Sequence, residues 1–271
     1  RRSGSEIMKI EHDMHTHTIY SRNHHAKNTI EEMVEQARKM GLKAITISDH
    51  GRNHPFYGIR PKNLPVMRAE VDRLNRKYDD IDVYLGVEAN LIGSDGEIDI
   101  GEEERKYCDV IYAGYHFGYL PNTAANFFSF LLPNLAAQFI PPLRKKRRKK
   151  NTDAYVRMCE RYPLTMITHP GDKMPIDIPR LAEAAQEKDI ILEINGHHDH
   201  MDADEIRAAA PYDVRFAVNS DAHAVSQIGR TGHAGENIRK AGIDPARVIN
   251  VSFDDETGVE GQDKAGEACR Q

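Results

Sequence analysis

The residues best suited to chemistry in this chain are histidines at strand-like spacing. His15 and His17 lie two residues apart in HDMHTHTIYSRNHH, which spans residues 12–25 and holds five of the fourteen histidines. Residues two apart on a β-strand share a face, so these imidazoles point the same way and are suited to one divalent ion. The spacing recurs in NSDAH, where Asp221 and His223 add a carboxylate and an imidazole. The pattern predicts a metal site.

Three other candidates contribute singly, namely Glu88 in GVEAN, His116 in AGYHFG and His169 in THPGD. Each of them alone would more often be a structural hydrogen-bonding residue than a ligand. Together with the two pairs, they make seven polar or ionisable side chains at strand ends. Burying all seven would cost free energy unless metal ions neutralised and paired them. We therefore predict a multinuclear metal centre. Asp13 shares the strand parity of His15 one layer deeper, and it is predicted to orient a ligand histidine rather than to bind metal.

The elements that position these residues are short apolar runs that alternate with helical patterns, the signature of βα units and a parallel sheet. In the clearest unit, Thr29 and Glu32 form a capping box, Gly41 ends the helix, and the strand KAITIS follows at 43–48. Six further strands are predicted in MKIEHDMH, VYLGVEA, VIYAGYH, LTMITH, IILEING and RFAVNSDA. No glycine-rich dinucleotide turn follows a strand, so the α/β fold is predicted to be a barrel. Its C-terminal face, where such barrels carry active sites, would hold the candidates.

The composition limits the classes of function. A net charge of −5 gives no global attraction to nucleic acid or to an anionic membrane. The three cysteines include no CxxC pair, which argues against a disulfide framework or a thiolate zinc site and favours a cytoplasmic setting. The sequence contains neither the P-loop signature nor the GxSxG signature of serine hydrolases.

Two regions do not follow the alternation of strand and helix patterns. Within about 120–150, an apolar segment at 127–140 precedes seven consecutive basic residues that begin at Arg144. The apolar segment is too short and too interrupted to cross a bilayer, so no transmembrane segment is predicted. We predict an inserted loop or helical hairpin whose basic part is solvated and whose apolar part packs on the barrel or on another subunit of a homo-oligomer. Docking to an anionic surface or nucleic acid is the less favoured alternative. Beyond Ser252, residues 253–271 have almost no apolar content and are predicted to form a disordered tail.

Seven ordered motifs carry a resemblance to a known family. They are HxHT at 15–18, ITISDHG at 45–51, GVEAN at 86–90, AGYH at 113–116, THPG at 168–171, LEIN at 192–195 and NSDAH at 219–223. Together they resemble the PHP family, named for polymerase and histidinol phosphatase domains. The motif spacing and the DGEID segment at 95–99 are most similar to its YcdX-like branch of probable phosphatases. The resemblance implies one domain over residues 8–252, folded as a distorted (β/α)7 barrel that holds up to three metal ions.

The resemblance also implies which residues surround each ion. It places His15, His17, Glu88 and Asp221 around a first ion, Glu88, His116 and His169 around a second, and His50, His223 and His25 around a third. His24 remains the alternative to His25, because a shift of one residue in the loop would exchange the two. Imidazoles bridged by a carboxylate suit Zn²⁺, Mn²⁺ or Fe²⁺ without choosing among them.

Several residues near the motifs are predicted to act beside the ligands. Glu193 and Asn195 share a parity at the end of LEIN and are predicted to orient ligands, and Asp49 is predicted to be a local orienter. Three cations just beyond motif residues are candidates for binding phosphate oxygens: Arg22, Lys173 and Arg230. His12 has the opposite strand parity and is expected to face the helical layer or solvent. The segment HHDH at 197–200 is predicted to be a solvated loop, with an accessory metal or substrate rim as the alternative.

The expected reaction is hydrolysis of a small phosphate monoester. Adjacent ions lower the pKa of a bridging water and clamp the phosphoryl oxygens, so the nucleophile is expected to be metal-bound hydroxide near Glu88 and no protein side chain attacks. One alternative is a nuclease or phosphodiesterase that works on nucleic-acid ends, for which the basic run is the only independent support. Another is a non-catalytic PHP scaffold module, which is disfavoured because all nine ligand positions are filled.

Overall fold

The computed structural model describes residues 7–198 and 200–254. Seven parallel strands form one sheet in chain order, each pairing with the next. These strands are β2 (His12–Thr16), β3 (Ala44–Ile47), β4 (Asp82–Asn90), β5 (Val110–Gly114), β6 (Met166–Ile167), β7 (Ile191–Asn195) and β8 (Phe216–Asn219). The sheet is curled and nearly closed, which confirms the predicted distorted (β/α)7 barrel.

The barrel closes between its first and last strands. A single parallel bridge joins Thr16 to Ala222, just beyond β8. The amide of His17 donates to the Ala222 carbonyl at 2.8 Å, and the Ala222 amide donates to the His15 carbonyl at 3.3 Å. The seam between β2 and β8 therefore has far fewer ladder bonds than the pairing of β4 with β5, which extends over Gly86–Asn90.

Helices pack around the barrel and connect its strands. They are α1 (Ile30–Lys39), α2 (Leu64–Lys77), α3 (Glu102–Arg105), α4 (Ala124–Asn126), α5 (Leu132–Ala137), α6 (Pro141–Arg161), α7 (Ile178–Lys188), α8 (Ala203–Ala209) and α9 (Ala234–Ala241). Short 3-10 turns lie at Pro61–Asn63, Val225–Gln227 and Pro245–Arg247, and a π-helical turn lies at Phe127–Leu131. The capping box of Thr29 and Glu32 begins α1, and Gly41, at φ +75°, follows its C-cap, as predicted.

The run MKIEHDMH forms two strands instead of the single strand that we predicted. Its first part, β1 (Ile7–Ile10), leaves the barrel and pairs antiparallel with β9 (Val251–Asp254). Phe253 and Asp254, which we placed in the disordered tail, therefore lie in a strand. The remainder of the predicted tail, residues 255–271, lies outside the described residues.

Two apolar clusters support the functional face. The larger one lies between the strands and the surrounding helices. The smaller one consists of Met14, Tyr112, Met166, Ile191 and Ala217. Because Ile191 and Ala217 precede Glu193 and Asn219 by two residues, this cluster lies inside the barrel and forms a floor beneath the polar strand ends.

The inserted segment is helical throughout its basic part. The seven basic residues lie in the 21-residue helix α6, and six of them are exposed while Arg147 is buried. Proline at the first positions of α6 fits its start, because the first amides of a helix need no internal partner. In the preceding apolar part, Phe130 and Ala137 are buried but Phe128 and Phe139 are 67% and 80% exposed. Within the described part of the chain, no helix combines the length and apolar character that a membrane span requires.

Candidate metal centre

The nine predicted ligands meet at the C-terminal ends of the barrel strands. Six of them are buried: His15, His17, His50, Glu88, His169 and Asp221. The other three, His25, His116 and His223, are partly exposed. The centre is therefore enclosed by protein below and reaches solvent on one side, as an enzyme site open to a small ligand requires.

The first group consists of His15, His17 and Asp221, whose ligand atoms lie within 4.8 Å of one another. The two Nε2 atoms of the histidine pair are 3.0 Å apart, and His17 Nε2 lies 3.0 Å from Asp221 Oδ1. Glu88 Oε2 approaches His15 Nε2 at 3.3 Å. The structure thus brings together the four residues that the resemblance gives to a first ion.

The second group surrounds Glu88, the residue expected to bridge two ions. His169 Nε2 lies 2.9 Å from Glu88 Oε1 and 3.1 Å from His116 Nε2. The other carboxylate oxygen, Oε2, lies 2.9 Å from His50 Nδ1. His50 is therefore as close to this group as to the third one, to which the resemblance gives it.

The third group joins the first loop to the end of β8. His25 Nε2 lies 3.0 Å from His223 Nε2, and the ligand atoms of His17, His50 and His223 are also within 4.8 Å of one another. His24 is exposed, with φ at +57°, and it takes no part in the cluster. Of the two alternatives that the sequence left open, the structure brings His25 to the centre.

Hydrogen bonds at Nδ1 leave the Nε2 atoms of three histidines facing the centre. Glu193 Oε1 lies 2.8 Å from Nδ1 of His15, Asn90 Oδ1 lies 2.7 Å from Nδ1 of His116, and the Asp221 carbonyl lies 2.8 Å from Nδ1 of His223. An acceptor at Nδ1 holds the proton there and leaves the Nε2 lone pair available for a ligand. Each of the three groups contains one histidine fixed in this way.

The donor set fits divalent metal ions. Within the nine ligand residues, three buried nitrogens have no hydrogen-bond partner among the described residues: His17 Nδ1, His50 Nε2 and His169 Nδ1. Buried polar atoms are rarely left without a partner, so we expect these atoms to have one in the functional protein. Three pairs of Nε2 atoms also approach to between 3.0 and 3.1 Å. Two lone pairs cannot bond each other, but they can share a cation.

The electrostatics of the centre agree with that fit. Burial lowers the pKa of His17 to about 3 and the pKa of His25 to about 4, so both are neutral at pH 7, as ligand imidazoles must be. Burial opposes the charge on Glu88, but the imidazoles of His116 and His15 hold its pKa well below the usual range. Burial likewise opposes a proton on His15, yet nearby carboxylates raise its pKa. The carboxylates therefore attract a cation to this position.

Glu193 and Asn195 lie directly beneath the ligands, at the end of β7. The second oxygen of Glu193 accepts from the His169 amide at 2.7 Å and from Asn195 Nδ2 at 3.0 Å. Asn195 Nδ2 also lies 3.4 Å from Asp221 Oδ2. This placement supports the orienting role that we predicted for both residues.

Asp49 and Asp13 hold loops that carry ligands. Asp49 accepts from the amides and hydroxyls of Thr18 and Ser21, which shapes the turn between His17 and His25. Asp13 accepts from the amides of Ser220 and Gly229 and makes no hydrogen bond to a histidine within the described ranges. The predicted contact of Asp13 with a ligand histidine is wrong, because the β2–β3 register shifts between Asp13 and Thr16 and breaks the parity.

The side chains of the remaining predicted residues form no hydrogen bond or ion pair with a ligand side chain within residues 7–198 and 200–254. Arg22 donates to the carbonyls of Gly58 and His54, so its guanidinium is engaged in the loop. Lys173 pairs with Asp172 at 2.7 Å, and Arg230 is exposed. His12 bonds Thr46 Oγ1 at 2.8 Å and stacks on Tyr84, outside the cluster.

Several residues at the centre were not among the predicted ligands or orienting residues. His198 Nε2 lies 3.5 Å from Asp221 Oδ2, so part of HHDH reaches the rim, which was the alternative to the solvated loop that we predicted. Tyr57 stacks on His25 with ring centroids 4.1 Å apart. Asn90 is oriented by Asp99, which accepts from its Nδ2 at 2.7 Å. Asn90 and Asp99 both lie in motifs that carried the resemblance, which was the available signal.

Comparisons with known proteins agree with the fold and the motifs. The family model described as PHP domain matches residues 13–197. A probable phosphatase of Thermoanaerobacter sp. (strain X514) is 30% identical over 259 residues, covering 90% of this chain and 91% of that protein. The probable phosphatase YcdX of Escherichia fergusonii is 29% identical over 250 residues, covering 89% of each. A histidinol phosphate phosphatase of Lactococcus lactis, solved in complex with zinc, L-histidinol and phosphate, shares the fold with a TM-score of 0.58 and 14% identity, over 86% of this chain and 94% of that one.

Proposed function

Because the chain belongs to the PHP domain family, we propose that it is a metal-dependent phosphatase that hydrolyses small phosphate monoesters at a centre of up to three ions. Curated relatives named probable phosphatases support the reaction class. Zinc is the first ion to test because the Lactococcus lactis structure contains it, and Mn²⁺ and Fe²⁺ suit the same ligands.

The observation that carries the proposal is the set of three Nε2 pairs. Each pair approaches to about 3 Å beside a carboxylate of Glu88 or Asp221. Three such pairs in one cluster match a polynuclear site better than isolated structural histidines, which would each find an ordinary hydrogen-bond acceptor.

The chain itself supplies orientation and access. Divalent ions bound in the centre would act as Lewis acids toward the phosphoryl oxygens and would supply an acidified water as the nucleophile. Glu193 and Asn90 fix the rings that face the ions, and the floor of Met14 and Tyr112 closes the barrel below them. His198, held between carboxylates at the rim, can pass a proton to the leaving oxygen.

The direct test measures bound metal and turnover of p-nitrophenyl phosphate before chelation, after chelation and after return of Zn²⁺, Mn²⁺ or Fe²⁺. We expect activity to disappear with the metal and to return with at least one of these ions. A protein with a full metal complement that hydrolyses no phosphate ester on a broad panel would refute the proposal and favour a non-catalytic scaffold.

Nucleic-acid ends remain the second candidate substrate. The exposed basic residues of α6 favour it, although the net charge of −5 does not. Degradation of single-stranded DNA or RNA at a rate comparable with that of the small esters would support this alternative.

A further inference from the structure

A cavity of about 480 Å³ opens between the inserted helix α6 and the barrel. Arg144, Lys145 and Arg148 line it on the helix side, and His200 and Glu205 line it on the barrel side. The reaction proposed above does not use any of these residues. The cavity has the size of a site for a small ligand, and three of its nine lining residues are cations while one is a carboxylate.

A short chain of contacts connects this cavity to the metal centre. Asp221 Oδ2 lies 3.5 Å from His198 Nε2, and His198 Nδ1 lies 3.4 Å from Asp172 Oδ2. The other oxygen of Asp172 lies 3.7 Å from Nε2 of His200, which lines the cavity. Gly171, two residues after His169, also lines it. The cavity and the metal centre are therefore neighbours, separated by the side chains of His198, Asp172 and His200.

The basic wall is fixed to the loop that follows β6. Arg148 Nε donates to the Ile176 carbonyl at 2.9 Å, and Asn151 Nδ2 donates to the Pro175 carbonyl at 3.2 Å. Gln138, which caps the C-terminus of α5, donates from Nε2 to the Lys173 carbonyl at 2.6 Å. The same loop carries the predicted metal ligand His169, so the basic wall of the cavity and this histidine are attached to one loop. A cavity fixed in this way loses little entropy when it binds a ligand.

The charges of the cavity favour an anion. Arg144, Lys145 and Arg148 form no ion pair with a carboxylate in ranges 7–198 and 200–254. Glu205 is the one carboxylate of the lining; it accepts from the amides of Met201 and Asp202 at the start of α8 and lies 3.9 Å from Nδ1 of His200. The cations therefore outnumber the carboxylates that face them, and none of the three is neutralised within the described residues.

A second cavity beside His198, of about 290 Å³, provides a contrast. It contains Lys240, but that ammonium already pairs with Glu236 at 2.6 Å, and Asp202 lies in the same lining. An anion entering there would meet carboxylates and a cation already in a salt bridge. Of these two cavities, the one beneath α6 suits an anion.

We propose that the cavity beneath α6 binds a second anionic group of the substrate while its phosphoester lies at the metal centre. The substrate class is then a small molecule with anions at both ends, either a bisphosphate or a phosphorylated carboxylic acid. This inference rests on the proposed phosphatase function and narrows it.

The test uses matched substrates and matched variants. Hexanediol bisphosphate and hexyl phosphate differ only in the second phosphate. The double variant Arg144→Gln with Lys145→Gln removes two cations from the cavity. The control, Lys149→Gln with Lys150→Gln, removes two exposed cations of the same helix that do not line it. Both variants change the net charge equally, so a general loss of attraction affects them alike.

We expect wild-type kcat/KM to favour the bisphosphate by about tenfold to a hundredfold, the range for charge-assisted hydrogen bonds. The cavity variant should lose most of this preference through KM, and the control should keep it. Calorimetry should show the same loss in binding of hexanediol bisphosphate to the metal-free protein. Equal turnover of both esters by wild type, or equal loss of preference in the two variants, would overturn the inference while leaving the phosphatase proposal intact.

The two proposals can fail separately. If no ester is hydrolysed but metal-free protein binds hexanediol bisphosphate through Arg144 and Lys145, the subsite stands and the phosphatase function fails. If single-stranded DNA is degraded and both double variants lose that activity equally, α6 attracts polyanions through its whole surface and the cavity assignment is wrong.

Discussion

Replacing Glu193 by glutamine tests whether the outer hydrogen bonds control metal binding. The Glu193 carboxylate is fully buried and accepts four hydrogen bonds, two at each oxygen. Glutamine has the same shape but carries one acceptor oxygen and one donor amide. Whichever way it turns, its NH₂ group therefore faces two donors. The substitution alters the hydrogen bonds without opening a cavity.

Each orientation of the glutamine disturbs a ligand. If the NH₂ group faces His15 Nδ1, the ring must move its proton to Nε2, the atom 3.0 Å from His17 Nε2, and the lone pair for the ion is lost. If it faces the other way, it opposes the His169 amide. Loss of such an outer contact costs about tenfold to a hundredfold in metal affinity, which corresponds to about 1.4 to 2.8 kcal/mol.

The assay is competition for Zn²⁺ against a chelator of known affinity, with kcat/KM for p-nitrophenyl phosphate measured in parallel. We expect weaker binding and lower activity, with a folded metal-free protein by circular dichroism. Glu104→Gln is the matched control, since Glu104 is also a buried carboxylate but bonds Arg52, at 2.8 Å, and the Gly101 amide instead of a ligand residue. Wild-type metal affinity in the Glu193 variant, or an equal loss in the Glu104 variant, would refute the reasoning.

Four further substitutions test the placement of single residues. His25→Ala should remove one ion per chain and most activity, whereas His24→Ala should change neither, as metal analysis and kinetics would show; the opposite result would exchange their roles. Asp13→Asn should lower stability in urea by about 1 to 3 kcal/mol, because Asp13 bonds the loop after β8, and loss of metal without destabilisation would contradict this. Arg73 and Lys77 of α2 lower the pKa of Glu31 to about 2 from an ordinary value of 4.5. This pairing therefore stabilises the fold above pH 4.5, and the stabilisation is lost as the pH falls toward 2. Glu31→Gln should therefore lower the thermal midpoint slightly at pH 7, and a difference that persists at pH 2 would be evidence against the pairing.

The sequence predicted the strands and the strand-end residues because both depend on local patterns. Apolar runs mark the strands, and a polar residue directly after a run reaches the C-terminal face regardless of how the helices pack. The contact of Asp13 depends instead on a register shift within β2, which alternation alone does not reveal. His198 and Asp172 come together through loops whose path depends on tertiary packing, so their spacing in the chain gave no signal.

The inserted segment shows the same limit. Its composition predicted a solvated basic surface, and six of the seven basic residues are exposed. Arg147 is the exception, because its guanidinium bonds the Ser129 carbonyl and the side chains of Asn134 and Asn151. The bonds to Ser129 and Asn134 fix α6 against the preceding π-helical turn and α5. A run of identical charges cannot indicate which member turns inward, since that depends on the angle at which the helix packs.

The metal centre also spans the seam between β2 and β8, where the strand pairing of the barrel is weakest. His15 lies in β2 and His17 follows it, while Asp221 follows β8, and a single bridge between Thr16 and Ala222 closes this seam. An ion held by both sides adds a connection that the ladder lacks, and ligand present at about a hundred times its Kd stabilises a fold by about 2.7 kcal/mol. Chelation should therefore speed hydrogen exchange at the seam amides of His17 and Ala222 more than in the β4–β5 ladder. Equal acceleration in both places would show that the centre stabilises the whole barrel and does not selectively stabilise the seam between β2 and β8.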